Sequence, residues 1–235
     1  MDERAFRRTM TVLERTYPMQ DWSKRMTAFE VLVSTVLSQS TTVANERRGL
    51  EGLRTTFGKI TPEILAAASD DDIAVAIWHA GLARQKAPRI RRIAKSIWEA
   101  WNGRVERILE LPTEAARDAL MALPGVGPKT ADVVLAMAGG HPTFPVDTHV
   151  ARIARRWNLV RSSDYESIRA SLERRTSPAK RKSWHLAMIA HGRALCRARN
   201  PRCDECPVRG DCDWYRRVRS RRRPGAVAQQ KVKSA

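Results

Sequence analysis

Acidic residues, long apolar runs and alternating strand patterns are all scarce in this 235-residue sequence. Only 25 Asp and Glu stand against 43 Lys and Arg, so the formal net charge is +18. A cationic surplus of this size favours a polyanionic partner, because each Lys or Arg placed on a phosphate releases condensed counterions. No segment is apolar over the length that a bilayer requires, which excludes a membrane span. The start of the chain carries acids and no apolar run, so we expect no signal peptide and a cytoplasmic protein, nucleoid-associated if the source is bacterial.

The distribution of the positive charge separates the C-terminal end from the body. Residues 216–235 contain eight Lys and Arg and no acid, so the preceding body retains +10 of the +18. The end can be interpreted as a solvated, disordered segment or as a nucleic-acid-binding arm. We expect residues 217–235 to form a disordered basic tail, and the charge of the body remains the stronger indication of a nucleic-acid partner.

Apolar spacing is helical along most of the chain, and neither alternating strands nor Asn-Gly hairpin signals occur. Residues 27–38 are apolar on most faces, which predicts a helix buried at the centre of a bundle. Helix starts are marked by cap residues such as Thr61-Pro62 and Ser69. The fold class is therefore all-α. Further helices are expected over 63–68, 71–79, 86–101, 114–122, 130–138, 147–157, 164–175 and 183–195.

A glycine-rich turn, LPGVGPKT at 123–130, joins two of these predicted helices. Gly125 and Gly127 allow a tight turn with outward-facing backbone N–H groups, and Val126 between them can pack inward as a peg. The next helix adds its positive N-terminal end, which makes a phosphate seat together with Thr130. The string predicts a helix-hairpin-helix that clamps a DNA backbone. A P-loop would need glycine at Ala122 and before the lysine, while a plain helical turn with a capping glycine is the other interpretation.

All four cysteines lie within 17 residues in the spacing C-x6-C-x2-C-x5-C. Disulfides are not expected without secretion signals, so the spacing indicates a metal or cluster site. One close pair flanked by two single ligands favours a [4Fe–4S] cluster over zinc. The expected ligands are Cys196, Cys203, Cys206 and Cys212. The loop that the cluster would hold rigid presents Arg197, Arg199 and Arg202 to a phosphate.

Three strings in this order, LPGVGPKTADVV, PVDTHVAR and HGRALCRARNPRCDECPVRGDC, resemble the endonuclease III family of helix-hairpin-helix DNA glycosylases. The likeness runs from about residue 25 to 216 and strengthens the iron–sulfur interpretation. It implies a six-helix barrel over 22–140 and a cluster lobe over 1–21 and 141–216, with a DNA cleft between them. It also implies that the partner is double-stranded DNA containing a damaged base or an abasic site, and we expect a monomer because one chain suffices for this chemistry.

The resemblance places the family's catalytic lysine on Lys129 and its catalytic aspartate on Asp147. A nucleophilic lysine must be neutral, and we expect the positive end of the adjoining helix to disfavour protonation of Lys129. Asp147 would stabilise cationic character at C1′ and accept protons. These residues imply a bifunctional glycosylase and AP lyase that acts on oxidised pyrimidines.

A flipped-out base leaves a hole in the duplex that protein side chains must fill. The resemblance suggests Gln39 and Leu82 as fillers, and His149 as a further residue at the DNA. Two departures from the family pattern occur here. The glutamine of LSQST is shifted by one position and no acid follows it, and Ala83 stands where an aromatic residue is common.

Three other functions fit part of the sequence. Adenine-mismatch glycosylases carry a catalytic Glu where this chain has Thr35, and mismatch thymine glycosylases usually replace the hairpin lysine, so Lys129 argues against both. A non-catalytic helix-hairpin-helix DNA-binding protein with a structural metal has no need of Lys129 and Asp147. A redox protein that uses the cluster for electron transfer explains neither the hairpin nor the basic body.

Overall fold

A computed structural model describes residues 1–18 and 21–222. Within these residues the secondary structure is entirely helical, which confirms the all-α prediction. The described helices are α1 (Glu3–Thr16), α2 (Ala28–Leu37), α3 (Val43–Phe57), α4 (Pro62–Ala67), α5 (Asp70–Ala76), α6 (Ala83–Trp101), α7 (Glu106–Leu109), α8 (Thr113–Met121), α9 (Pro128–Met137), α10 (Thr148–Arg156), α11 (Tyr165–Arg175), α12 (Arg181–Ala194) and α13 (Asp213–Arg222). No described helix is long and apolar enough to cross a membrane.

Side-chain caps explain where several helices begin. Thr27 precedes α2 and forms a capping box with Glu30, in which each residue bonds the backbone of the other. Thr61 caps α4 ahead of Pro62, and the Ser69 side chain accepts a hydrogen bond from the first turn of α5. The start signals in the sequence therefore act as expected.

The first hydrophobic core is formed by the helices from α2 to α9. Every residue of α2 except Glu30 is buried, as expected of a helix at the centre of a bundle. α9 is buried along most of its length as well, from Thr130 to Met137. Both helices consequently lie in the interior, with the others packed around them.

The second hydrophobic core combines the two ends of the described chain. Phe6 of α1 is fully buried and meets Trp157 and Trp184 edge to face, at centroid distances of 6.4 and 5.7 Å. α10, α11 and α12 supply most of the remaining core. The N-terminal helix thus packs with the C-terminal helices, while the exact lobe boundaries at residues 22 and 140 stay a prediction.

Several parts of the helical pattern differ from the sequence-based expectation, and α1 and α7 are not among the predicted helices. α3 was not predicted, because its pattern is mostly polar and only Gly49, Leu50 and Leu53 are buried. The helix expected over 71–79 ends at Ala76 and is followed by a 3-10 turn, Trp78–Ala80. α13 extends to Arg222, six residues into the segment expected to be disordered, with Asp213 in its first turn and the arginines beyond it. The remainder of the expected tail, 223–235, lies outside the described residues.

Candidate active site

The helix-hairpin-helix consists of α8, the turn at 123–127 and α9. The turn closes through a hydrogen bond from Val126 N to Leu123 O of 3.1 Å, and Val126 is buried. Gly125 has φ +79°, and a Cβ there would lie 2.8 Å from the Arg89 side chain, so glycine is needed for two reasons. Gly127 caps α9 and is exposed, whereas the Thr130 side chain is buried. The turn therefore presents backbone at Gly125 and Gly127, and Thr130 belongs to the interior.

Lys129 lies in the first turn of α9 and is half-buried. Burial lowers its pKa from the ordinary value of 10.5, and the attraction of the Asp147 carboxylate partly opposes that decrease in pKa. The sequence led us to expect the positive helix end as the cause of a lowered pKa. The structure identifies burial as a cause of the lower pKa, and the contribution of the helix end stays a prediction. A neutral, nucleophilic amine is thus favoured at this position.

Asp147 is the N-cap of α10. Its Oδ1 accepts a hydrogen bond from Val150 N at 2.8 Å, which fixes the carboxylate at the start of that helix. It follows a buried segment, 143–146, that connects the two hydrophobic cores. The capping role and a catalytic role are compatible, because the hydrogen bond from Val150 N uses one of the two carboxylate oxygens.

His185 of α12 lies near the two candidate catalytic residues and was not singled out from the sequence. Its side chain is only 2% exposed, and burial lowers its pKa to about 4. The Asp147 carboxylate raises the pKa of His185 and the Lys129 ammonium lowers it, so both groups lie within electrostatic range of the imidazole. No hydrogen bond from the described residues reaches its Nδ1. Only tertiary packing brings His185 here, so the local sequence offered no signal.

His149, in the first turn of α10, is held by its neighbours. Its Nδ1 lies 3.0 Å from Arg152 Nη2, and its ring packs against the backbone of Gly192. A Cβ on Gly192 would stand 2.7 Å from His149 Nδ1, so the close contact requires glycine. His149 is half-buried and therefore partly available at the surface.

Gln39 and Leu82 lie on two neighbouring loops of the first core. The Lys86 ammonium, 2% exposed, donates to Leu37 O at 2.7 Å and Ala80 O at 2.9 Å, and so ties the loops together. Leu82 is 51% exposed with φ 52°, a strained backbone for a leucine. The Gln39 Oε1 accepts from Arg89 Nη1 at 2.8 Å. The two expected filler residues therefore lie on loops that Lys86 joins, and Leu82 is exposed to solvent.

The four cysteines line one cavity beside α13. Burial, and then the neighbouring cysteines, raise the pKa of Cys206 to about 11, so this thiol needs a nearby cation to ionise at neutral pH. No three His, Cys, Asp or Glu in the described ranges are arranged to hold a single metal ion. Four thiols around one cavity are the donor set that an iron–sulfur cluster takes. The cavity is lined by Cys196, Cys203, Cys206 and Cys212, with Arg156, His191, Trp214 and Tyr215 among the other residues.

Arginines surround the cysteine loop in two different ways. Arg156 donates to Cys196 Sγ at 3.1 Å and to the carbonyl of Arg197 at 2.7 Å, which stabilises the loop from inside. The expected phosphate contacts Arg197, Arg199 and Arg202 are all exposed. Arg202 is paired with Glu205, at 2.7 Å from Nε to Oε1, so it is partly neutralised.

The helix-hairpin-helix, the two cores and the cysteine cavity define a base-excision repair fold. Residues 33–178 match the family model of the HhH-GPD superfamily base excision DNA repair protein, and residues 196–212 match the iron-sulfur binding domain of endonuclease III. The chain is similar to endonuclease III of Thermotoga maritima, at 36% identity over 83% of this chain and 86% of that protein. It is also similar to endonuclease III of Sulfolobus acidocaldarius, at 35% identity over 82% and 84%.

A solved structure gives the same result for the three-dimensional fold. The structure of a trapped endonuclease III–DNA covalent intermediate matches with a TM-score of 0.82 and 28% identity, over 93% of this chain and 99% of that one. The chain belongs to the endonuclease III family. Its cofactor is a [4Fe–4S] cluster, and the four cysteines are the residues that fit it.

Proposed function

We propose that this chain removes oxidised pyrimidines from duplex DNA and then cleaves the strand at the resulting abasic site. The observation that carries the proposal is a half-buried lysine of lowered pKa at the end of the hairpin, within electrostatic range of Asp147. Neither a DNA-binding protein nor an electron carrier needs such an amine. The protein would act as a monomer on damaged chromosomal DNA in the cytoplasm.

In the proposed reaction Lys129 Nζ attacks C1′ of the damaged nucleotide. The glycosidic bond breaks, and the departing base takes the bonding electrons and a proton. Loss of the amine proton and opening of the sugar ring give a Schiff base between Lys129 and C1′. Removal of a C2′ proton then breaks the bond from C3′ to its oxygen, and hydrolysis of the imine releases the lysine. Asp147 stabilises the positive charge at C1′ and receives protons during these steps.

The hairpin and the two tied loops supply the DNA contacts for this reaction. Gly125 and Gly127 offer exposed backbone to a phosphate beside the N-terminal end of α9. Leu82, and Gln39 with it, would enter the space left by the flipped base. Arg197, Arg199 and His149 would contact the strand from the other lobe.

The first helix of the barrel, α2, argues against an adenine-mismatch glycosylase. Thr35 occupies the position of the catalytic Glu in those enzymes, is 3% exposed and donates to Val31 O at 2.7 Å. A hydroxyl engaged within its own helix cannot replace a carboxylate as an acid. Lys129 then remains the nucleophile that the site offers.

The proposal is tested by trapping the Schiff base with borohydride on duplexes that contain an oxidised pyrimidine, an abasic site or a G·T mismatch. We expect a covalent adduct with the first two duplexes, its loss in Lys129→Ala and a strong decrease in Asp147→Asn. Lys95→Ala is the matched control, because Lys95 is an exposed lysine on α6 whose ammonium lies 3.7 Å from the Glu99 carboxylate. Base release from G·T without any adduct would replace the proposal with a monofunctional mismatch glycosylase.

A further inference from the structure

A buried aspartate lies one helical turn after Lys129. Asp132 is fully buried on α9, and its two oxygens have different partners. Oδ1 accepts from Arg117 Nε at 3.0 Å, and Oδ2 accepts from the Tyr165 hydroxyl at 2.6 Å. Because Lys129 and Asp132 belong to the same helix, the hydrogen bonds that fix Asp132 also fix the orientation of α9 at Lys129.

Tyr165 connects this aspartate to the segment that carries Asp147. While its hydroxyl donates to Asp132, it accepts from Val146 N at 3.4 Å. Val146 directly precedes Asp147. One phenol oxygen on α11 therefore links α9, with the nucleophile, to the backbone adjacent to the catalytic carboxylate.

A second side chain of α11 holds the same segment. Glu173, two turns beyond Tyr165, accepts from Phe144 N at 3.0 Å through Oε1. Glu173 is in turn fixed by Arg169, whose Nη1 lies 3.4 Å away. Two backbone N–H groups of the buried segment 144–146 thus find their acceptors on α11, which leaves the segment little freedom to shift.

The buried carboxylate is difficult to explain by stability alone. Burial raises the pKa of Asp132, and the Tyr165 and Arg117 hydrogen bonds oppose that increase in pKa. A buried ionic group of this kind is often replaceable by an apolar side chain without loss of stability. A role in fixing geometry accounts for its presence at the helix that carries the nucleophile.

We propose that Tyr165 and Asp132 are positioning residues that set the separation between Lys129 and Asp147. This inference rests on the proposed function of those two residues. Removing the link lets α9 and the Asp147 segment shift relative to each other. A displacement of about 1 Å at a reacting centre is enough for a loss of about 100-fold in rate.

The test compares Tyr165→Phe with wild type in single-turnover excision of an oxidised pyrimidine and in borohydride trapping. Binding to a duplex with a stable abasic analogue and the visible absorbance of the cluster are measured on the same preparations. Ser171→Ala is the matched control. Ser171 is a buried hydroxyl on the same helix that donates to Leu159 O at 3.2 Å and accepts from Arg175 at 2.7 Å, away from the site.

We expect Tyr165→Phe to lose about 10- to 100-fold in both rates, with DNA affinity within about two-fold of wild type and full cluster absorbance. Ser171→Ala should keep the wild-type rates. Asp132→Asn provides a second variant, and the double variant should lose no more than the worse single one, because both changes break the same link.

Wild-type rates in Tyr165→Phe and Asp132→Asn would overturn the inference while leaving the proposed function intact. An equal loss in Ser171→Ala, or a loss seen only as weaker DNA binding, would overturn it as well. A wild-type protein that forms no adduct would contradict the proposed function itself, so the two failures are distinguishable.

Discussion

The two hydrophobic cores differ in the types of side chain that form them. The buried residues of the first are aliphatic except for Phe29 and Met137, and they come from helices that follow one another along the chain. The second depends on the aromatic residues Phe6, Phe144, Trp157 and Trp184, and it includes a cysteine of the cluster cavity. Its parts come from both ends of the described chain. Because Cys212 belongs to the second core, we expect the stability of this core to depend on the cluster more than that of the first core does.

Removing one cluster ligand should produce the largest difference in stability between the two cores. Cys206→Ser removes one of the four thiols that line the cavity and leaves the cluster with three of its ligands. We expect loss of bound iron and unfolding of the second core, while α2 to α9 remain resistant to limited proteolysis. Equal sensitivity of both regions would show that the cores do not differ as described.

Truncating a buried side chain in each core gives the next largest effect. Phe6→Ala and Leu53→Ala both remove fully buried side chains. We expect Phe6→Ala to decrease the free energy of unfolding by about 3–5 kcal/mol and Leu53→Ala by about 2–5 kcal/mol. Phe6→Ala should also accelerate loss of the cluster, because α1 covers the second core. Denaturation followed by circular dichroism and by cluster absorbance separates the two outcomes. Cluster loss that is equally fast in Leu53→Ala would contradict the distinction.

Acid should destabilise the second core through His185. Its pKa is lowered to about 4 by burial, so between pH 6.5 and 4 the unfolded state binds a proton that the folded state does not. Stability is therefore present above pH 6.5 and is lost as the pH falls towards 4, by up to about 3 kcal/mol. The groups that act on its charge are Asp147, Lys129 and Arg193.

The variant His185→Gln isolates this contribution. We expect its free energy of unfolding to depend less on pH over that interval than the wild-type value does. Parallel curves for the two proteins would show that His185 is protonated in the folded state at its ordinary pKa.

A smaller effect is expected in the first core at the hairpin. Gly125→Ala imposes a positive φ on alanine and a contact with Arg89, at a cost of about 1–3 kcal/mol. Gly140→Ala is the control, because Gly140 also has positive φ, at +66°, but nothing lies near its Cβ position. Both variants should lose stability, and only Gly125→Ala should also bind duplex DNA less tightly. Equal DNA affinity in the two variants would remove the hairpin from the interface.

The sequence predicted the first core better than the second for a physical reason. Local signals, such as the apolar run of α2 and the cap residues Thr61 and Ser69, act over a few residues and are readable from the chain. The glycine turn and the cysteine spacing are local too. The contact of Phe6 with Trp157 and Trp184 joins distant positions, so no local pattern indicates it.

The candidate site shows the same division. Lys129 and Asp147 were found because their motifs are short strings. The proximity of His185 and the link through Tyr165 and Asp132 depend on how α9, α11 and α12 pack. Burial as a cause of the lowered pKa of Lys129 was not predicted, since the burial of a side chain cannot be deduced from the motif.

The central claim is that Lys129 is the group that bonds to DNA. The most direct measurement is to trap the wild-type protein on an oxidised-pyrimidine duplex with borohydride, digest the adduct and locate the modified residue by mass spectrometry. We expect to find the sugar fragment attached to Lys129. The trapping rate should rise with pH through an apparent pKa below 10.5. Attachment to another amine, such as that of Lys86 or the N-terminus, would contradict the central claim.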